Sequence, residues 1–240
     1  MFESFRVGSM AVVLITGANR GIGLALVKKF AQTGATVIAT VRRPDAAGDL
    51  SRVAEDYRPT IEIHQLDATD SDSVLALARA LEGRDIDVLI NNAGVLNSYG
   101  DISDPAHDWA AWQQVLMTNT AAPYIVTRAL LAHVRRSGAG KIAFISSSMA
   151  SSARAPGGAY PYRASKAGVT NLARNLATDL KKFGIAVGAY HPGWVRTAMG
   201  GEGAAISVDE SAEGLFERIN HLSLETTGVF EDYQGNAVQF

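Results

Sequence analysis

AVVLITGANRGIGLALVKKF, residues 11–30, decides the fold. Its first six residues form an unbroken apolar run rich in β-branched side chains, the pattern of a strand buried on both faces. Residues 21–34 then carry a helical pattern, with Gly34 placed as its C-terminal cap. Between them lies Thr16-Gly17-Ala18-Asn19-Arg20-Gly21-Ile22-Gly23. Glycines there permit a tight turn and close approach of the backbone to a pyrophosphate, and the helix start offers unpaired N–H groups and a positive dipole end. The spacing is G-x-x-x-G-x-G, not the commoner G-x-G-x-x-G. A glycine cluster alone is weak evidence; the strand before it and the helix after it give it weight.

The same alternation repeats outward. Strands are predicted over 36–41, 61–66, 86–90, 141–146 and 185–190, with an edge strand over 228–233. Helices are predicted over 70–81 (capped by Asp70 or Ser71), 109–136, 162–183 and 209–221. Strand, helix, strand in repetition means parallel pairing with right-handed crossovers, and so helices on both faces of the sheet. The expectation is a single Rossmann-type, doubly wound α/β domain over 11–240, preceded by a short extension at 1–10. Ligands of such sheets bind beyond the carboxyl ends of the strands.

Bulk properties narrow the function. The 240 residues suit one large domain, and 22 basic against 24 acidic residues leave a net charge of −2 with no block of like charge. Nucleic acid and anionic membranes are therefore not expected as partners, and no apolar run approaches the ~20 residues of a membrane span. The absence of cysteine excludes disulfides and thiolate chemistry and fits a cytoplasmic location. The five histidines show no metal-ligand spacing, so no metal is expected.

The residues just past each strand carry the chemistry. The second strand ends in Thr40-Val41-Arg42-Arg43, with no carboxylate to hold the ribose 2′-hydroxyl of NAD; Arg42 fits a 2′-phosphate instead. Asn91-Asn92-Ala93-Gly94 comes after the fourth strand, where small residues let a ribose lie on the backbone. Strand five ends in Ser146-Ser147-Ser148, hydroxyls placed to bind a carbonyl oxygen. Tyr162 and Lys166 stand four apart at the start of a long helix, on one face, and an ammonium near a phenol lowers its pKa. Asn119 interrupts a predicted helix interior, a poor position for asparagine unless its side chain has work there.

TGANRGIG, NNAG, Asn119, the serine cluster, YRASK and HPGWVRT occur in the order of the short-chain dehydrogenase/reductase family, which this chain resembles from about residue 12 to its end. The GGAYPYRASK stretch and the ending FEDYQGNAVQF resemble the subgroup that holds the insect carbonyl reductase Sniffer and the bacterial C-factor proteins. The resemblance implies an NADP(H)-dependent oxidoreductase, either a carbonyl reductase or an alcohol dehydrogenase, that moves hydride between nicotinamide and a small-molecule carbonyl and assembles as a homodimer or tetramer. It implies Tyr162 as acid–base, Lys166 lowering the pKa of Tyr162 and holding the ribose, Ser147 on the substrate oxygen and Asn119 in a water-linked proton relay. It also implies that Gly17, Asn19, Arg20, Gly21, Ile22 and Gly23 cradle the phosphates and that Asp67 meets the adenine amine. Asn92, Ala93 and Gly94 would line the ribose, and Pro192, Gly193, Val195 and Thr197 the carboxamide.

One departure stands out. The segment between Ser147 and Tyr162 is two residues longer than the family's usual spacing, which would place Met149 at the serine position. Ser147 is preferred because the strand end fixes it, with Ser148 second. The rivals are a nucleotide-sensing module of the same fold with vestigial catalysis, and a dehalogenase-like lyase, which would lack the glycine loop. His191 is read as part of the cofactor-side turn, and Trp109, Trp112 and Tyr124 as interface or core.

Overall fold

The computed structural model describes residues 11–240; the predicted extension at 1–10 lies outside them. Seven strands are described: β1 (Val12–Thr16), β2 (Thr36–Val41), β3 (Ile61–Gln65), β4 (Val88–Asn91), β5 (Lys141–Ile145), β6 (Ala186–His191) and β7 (Phe230–Asp232). They form one sheet in the order β3-β2-β1-β4-β5-β6-β7, every neighbouring pair parallel. The chain reverses its winding direction between β1 and β4, which opens a crevice at their carboxyl ends.

Both faces of the sheet are covered, as the continuous apolar strands require. On one face Val13 and Ile15 of β1 pack with Leu26 and Phe30 of α1 (Gly21–Gln32), Leu50 of α2 (Gly48–Asp56) and Phe216 of α7 (Val208–His221). On the other, Leu14 lies among side chains of α3 (Ser71–Ala80), α5 (Ala122–Arg136) and α6 (Tyr160–Lys181). Asp70 caps α3 by accepting the Asp72 N–H, one of the two caps expected, whereas Thr33 caps α1 and Gly34, expected as that cap, follows it at φ +81°.

Two predictions need correction. Helix α2 has no counterpart in the sequence reading, because its nine residues hold only two buried side chains, Leu50 and Val53, and start without a side-chain cap. The helix predicted over 109–136 is α4 (Trp109–Leu116) and α5 joined by a π-helical segment, Met117–Ala121. Wide turns of this kind concentrate at functional sites, and this one contains Asn119.

Candidate active site

The glycine turn is held by its neighbours. A side-chain carbon on Gly23 would lie 2.3 Å from the Gly17 carbonyl oxygen and 2.6 Å from Asn92 Nδ2, and Gly17 adopts φ +68°. Only hydrogen fits at 23. Asn92 Nδ2 donates to the carbonyls of Thr16 (2.9 Å) and Gly17 (3.2 Å), so its amide secures the turn while the residue still borders the cavity. Thr16, which sequence reasoning passed over, accepts the N–H groups of Asn92 and Ala93 on its hydroxyl.

A cavity of about 850 Å³ opens over this turn and runs from Asp67 past Gly94 to Thr197. It is bordered by Gly17, Asn19, Arg20, Gly21, Ile22, Gly23, Arg42, Asn92 and Ala93, with Tyr162, Lys166 and Pro192 toward its other end. Arg20 and Arg42 are exposed, and neither forms an ion pair among the described residues. Hydrogen bonds from the Thr69 hydroxyl and N–H hold the Asp67 carboxyl below the usual carboxylate range, and Arg42 adds to this. Thr197 sits against the glycine turn: its Cγ2 is 3.3 Å from where a Gly21 side chain would begin. The Pro192 carbonyl accepts the Ser211 hydroxyl at 2.6 Å, fixing the turn that begins there. Gly193 and Val195 border a second, smaller cavity.

Tyr162, Ser147, Lys166 and Asn119 are all buried. The Ser147 hydroxyl acts on that of Tyr162, lowering its pKa, and accepts the Met149 N–H at 3.1 Å. Ser146 is spent on α6, its hydroxyl 2.6 Å from that of Thr170. Lys166 Nζ donates to the Ile145 carbonyl at 2.8 Å and lies 5.6 Å from the Tyr162 ring centre. Asn119 accepts the Val95 N–H on Oδ1 and donates through Nδ2 to the Val95 carbonyl, each at 2.8 Å, and to the Ser165 hydroxyl at 3.0 Å. It thereby ties the loop after β4 to α6. Gly94 places its bare face against this group, a side-chain carbon there being 3.3 Å from Asn119 Oδ1 and 3.5 Å from Lys166 Nζ.

Burial dominates the electrostatics of this pair. Burial pushes the Tyr162 hydroxyl up to about 12, with the Ser147 hydrogen bond pulling it down and Tyr99 adding to the rise. Burial also pushes the Lys166 ammonium down to about 8. Desolvation is the largest cause at both groups. Tyr162 is a protonated acid at neutral pH.

The second cavity, about 320 Å³, meets the first at Tyr162. Ser147, Ser148 and Tyr162 form its polar end, and Tyr99, Met149, Trp194 and Met199 its apolar walls. No carboxylate, lysine or arginine lines it. His191 does, with burial pushing its imidazole down to about 4, so it is neutral there. The glycine- and alanine-rich segment 199–208 is tied down: Trp194 Nε1 donates to the Gly200 carbonyl (2.9 Å), and Arg196 Nη1 to those of Ala204 and Ala205 (3.1 and 3.2 Å). Trp109, read as interface or core, is 78% exposed, which excludes core. No metal-binding cluster of His, Asp or Glu exists among the described residues.

Residues 11–205 match the family described as short chain dehydrogenase. The C-signal protein of Myxococcus xanthus is 39% identical over 154 residues, covering 64% of this chain and 92% of that protein. The NADPH-bound carbonyl reductase from chicken fatty liver is 32% identical, with a TM-score of 0.89 over 96% of this chain and 100% of that one. The carbonyl reductase Sniffer of D. melanogaster superposes with a TM-score of 0.90 at 30% identity, over the same shares of both chains.

Proposed function

The chain belongs to the short-chain dehydrogenase/reductase family and is an oxidoreductase, and we propose that it is an NADPH-dependent reductase of uncharged, largely apolar carbonyl compounds. One observation carries the reading: Tyr162, buried beside Ser147, stands where the large glycine-lined cavity meets the small apolar one.

The large cavity fits a dinucleotide phosphate. Gly17, Gly21 and Gly23 line it, and Arg20 and Arg42 border it without an ion pair among the described residues. Arg20 and Arg42 would take the 2′-phosphate and the glycine turn the pyrophosphate. Asp67 would meet the adenine, while Asn92, Ala93, Gly94 and Lys166 line the ribose. Pro192, Gly193, Val195 and Thr197 would hold the carboxamide. Bound there, the reduced nicotinamide supplies the hydride that a carbonyl carbon receives.

The chain's own residues do the rest. Ser147 and Tyr162 present two hydroxyls to one substrate oxygen, and Tyr162 gives up its proton as charge develops on that oxygen. Lys166, cationic below about pH 8, stabilises the resulting phenolate. Asn119 holds the loop after β4 against α6 and fixes the distance between Lys166 and Gly94. The apolar walls exclude water and charged substrates.

Loss of NADPH absorbance with a panel of quinones, aromatic aldehydes and diketones tests the proposal, and absence of turnover with all of them would defeat it. Exposed Leu116, Met117, Tyr124 and Ile125 on and between α4 and α5 support a homodimer, with a mass near twice 25.4 kDa by light scattering. A cytoplasmic location is proposed from the lack of cysteine; no described helix is long and apolar enough to cross a membrane.

A further inference from the structure

The segment between Ser147 and Tyr162 folds back on the helix that carries the tyrosine. We propose that Arg163 is the positioning residue that sets this segment, and through it sets Tyr99 as the wall that selects ring-bearing substrates. The proposal rests on the reductase reading of the cleft.

Arg163 directs its guanidinium away from the catalytic group. Nε donates to the carbonyls of Gly157 (3.2 Å) and Gly158 (3.1 Å), and Nη1 to that of Arg154 (3.3 Å). A rigid planar fork serves several carbonyls at once, which an ammonium on a flexible stem does not. The gripped residues enter α6 through three consecutive left-handed conformations: Gly157 (+88°), Gly158 (+70°) and Ala159 (+47°). For alanine that conformation is strained, and it persists where surrounding contacts over-determine it. Here those contacts are the Arg163 clamp on one side and Ala159 N–H donating to the Gly100 carbonyl at 2.9 Å on the other.

The path then reaches the cleft. A side-chain carbon on Gly158 would lie 2.9 Å from the Tyr99 carbonyl oxygen and 3.2 Å from that of Gly100, so the segment runs close against the backbone of Tyr99. Tyr99 lines the small cavity, and its hydroxyl donates to the Met199 carbonyl at 3.4 Å, bridging to the 199–208 segment. Tyr99 is 56% exposed, so apolar burial does not fix its position. Its backbone anchor does, and that anchor leads to Arg163.

The test compares Arg163→Met, Arg163→Lys, Gly158→Ala and Tyr99→Ala with 2-naphthaldehyde and propanal as probes. Arg163→Met should raise KM for 2-naphthaldehyde about ten-fold with kcat nearly kept, while kcat/KM for propanal and Kd for NADPH stay within about two-fold. Arg163→Lys should not rescue it. Gly158→Ala, which disturbs the other end of the path, should repeat the pattern. In a Tyr99→Ala background Arg163→Met should have no further effect, since the wall it positions is gone. Equal losses with both aldehydes, an unchanged KM, or full additivity with Tyr99→Ala would overturn the proposal. Binding of 2-naphthaldehyde, monitored by quenching of tryptophan fluorescence, separates this from the reductase reading. A wild-type protein that turns over neither aldehyde but binds the ring about ten-fold better than Arg163→Met defeats the activity and keeps the positioning role. A wild-type protein that does not bind the ring defeats the positioning role.

Discussion

Thr16 and Asn92 are locked to each other twice. The Asn92 N–H donates to Thr16 Oγ1 at 3.0 Å, and Asn92 Nδ2 donates to the Thr16 carbonyl at 2.9 Å. The ends of β1 and β4 are thereby fixed together where the cofactor crevice opens. Thr16→Val removes the acceptor for the N–H groups of both Asn92 and Ala93, at a cost of about 2 kcal/mol. Urea unfolding should show it as an earlier midpoint, and Thr16→Ser should restore most of the loss. Coincident midpoints for wild type and Thr16→Val would refute a structural role.

Tyr162→Phe removes one oxygen from a packed site. Folding and NADPH affinity should survive, while carbonyl reduction falls by about a hundred-fold or more, as for loss of a general acid. Stopped-flow or steady-state assays of the folded variant decide it; retention of a tenth of the rate would unseat Tyr162.

The serine question now has a structural answer to test. Ser147 lowers the Tyr162 pKa, and Ser148 is less buried. Ser147→Ala should therefore slow reduction by about ten-fold or more, and Ser148→Ala far less. The opposite ranking would move the substrate oxygen to Ser148.

Cofactor preference should depend on Arg42. An exposed guanidinium with no ion pair among the described residues gains a charge-assisted fork on a 2′-phosphate, worth a preference for NADPH over NADH of about thirty-fold or more together with Arg20. Arg42→Asp should abolish or reverse it. Fluorescence titrations with both reduced cofactors measure the ratio, and an unchanged ratio would exclude the clamp.

The pH dependence has a definite sign. Tyr162, at about 12, remains protonated through the working range, so reduction should show no break from the tyrosine below that value. Lys166, lowered to about 8, should produce a fall in reduction above pH 8 as its charge is lost. Stability behaves oppositely. Between about 8 and 10.5 the unfolded chain holds the Lys166 proton more tightly than the folded one, so this group's contribution to stability rises with pH across that window. Lys141, also lowered to about 8 by burial, adds to the same rise, so Lys166→Met should reduce the slope of urea midpoint against pH rather than abolish it; an equal slope in the variant would show that Lys166 does not contribute.

The pattern of residues 11–30 announces β1, the turn and α1 because that stretch meets its requirements locally, in apolar continuity and glycine spacing. Tyr162, Lys166, Ser147 and Asn119 are legible as a set, since family resemblance preserves order along the chain. What escapes depends on distance. Thr16 reads as an ordinary strand residue until Asn92, 76 positions later, is placed beside it. Tyr99 and Arg163 belong to segments whose contacts are backbone carbonyls, which no side-chain pattern announces. The protonation of Tyr162 is hidden because a four-residue spacing shows a neighbouring ammonium and conceals the desolvation around both groups.

The wide turn at Met117–Ala121 acts as a phase shifter on a rod. One surplus residue advances everything beyond it by about 100°. Val115, before it, packs with Tyr162 and Ala159, whereas Val126, Leu130 and Val134, after it, at four-residue steps, address the sheet. The two halves are read in different angular frames, and each can drift in sequence without disturbing the other's alignment. Deleting a single residue within the turn would leave a continuous helix able to lie on the sheet, with Val115 rotated away from the tyrosine and Asn119 carried out of reach of Val95.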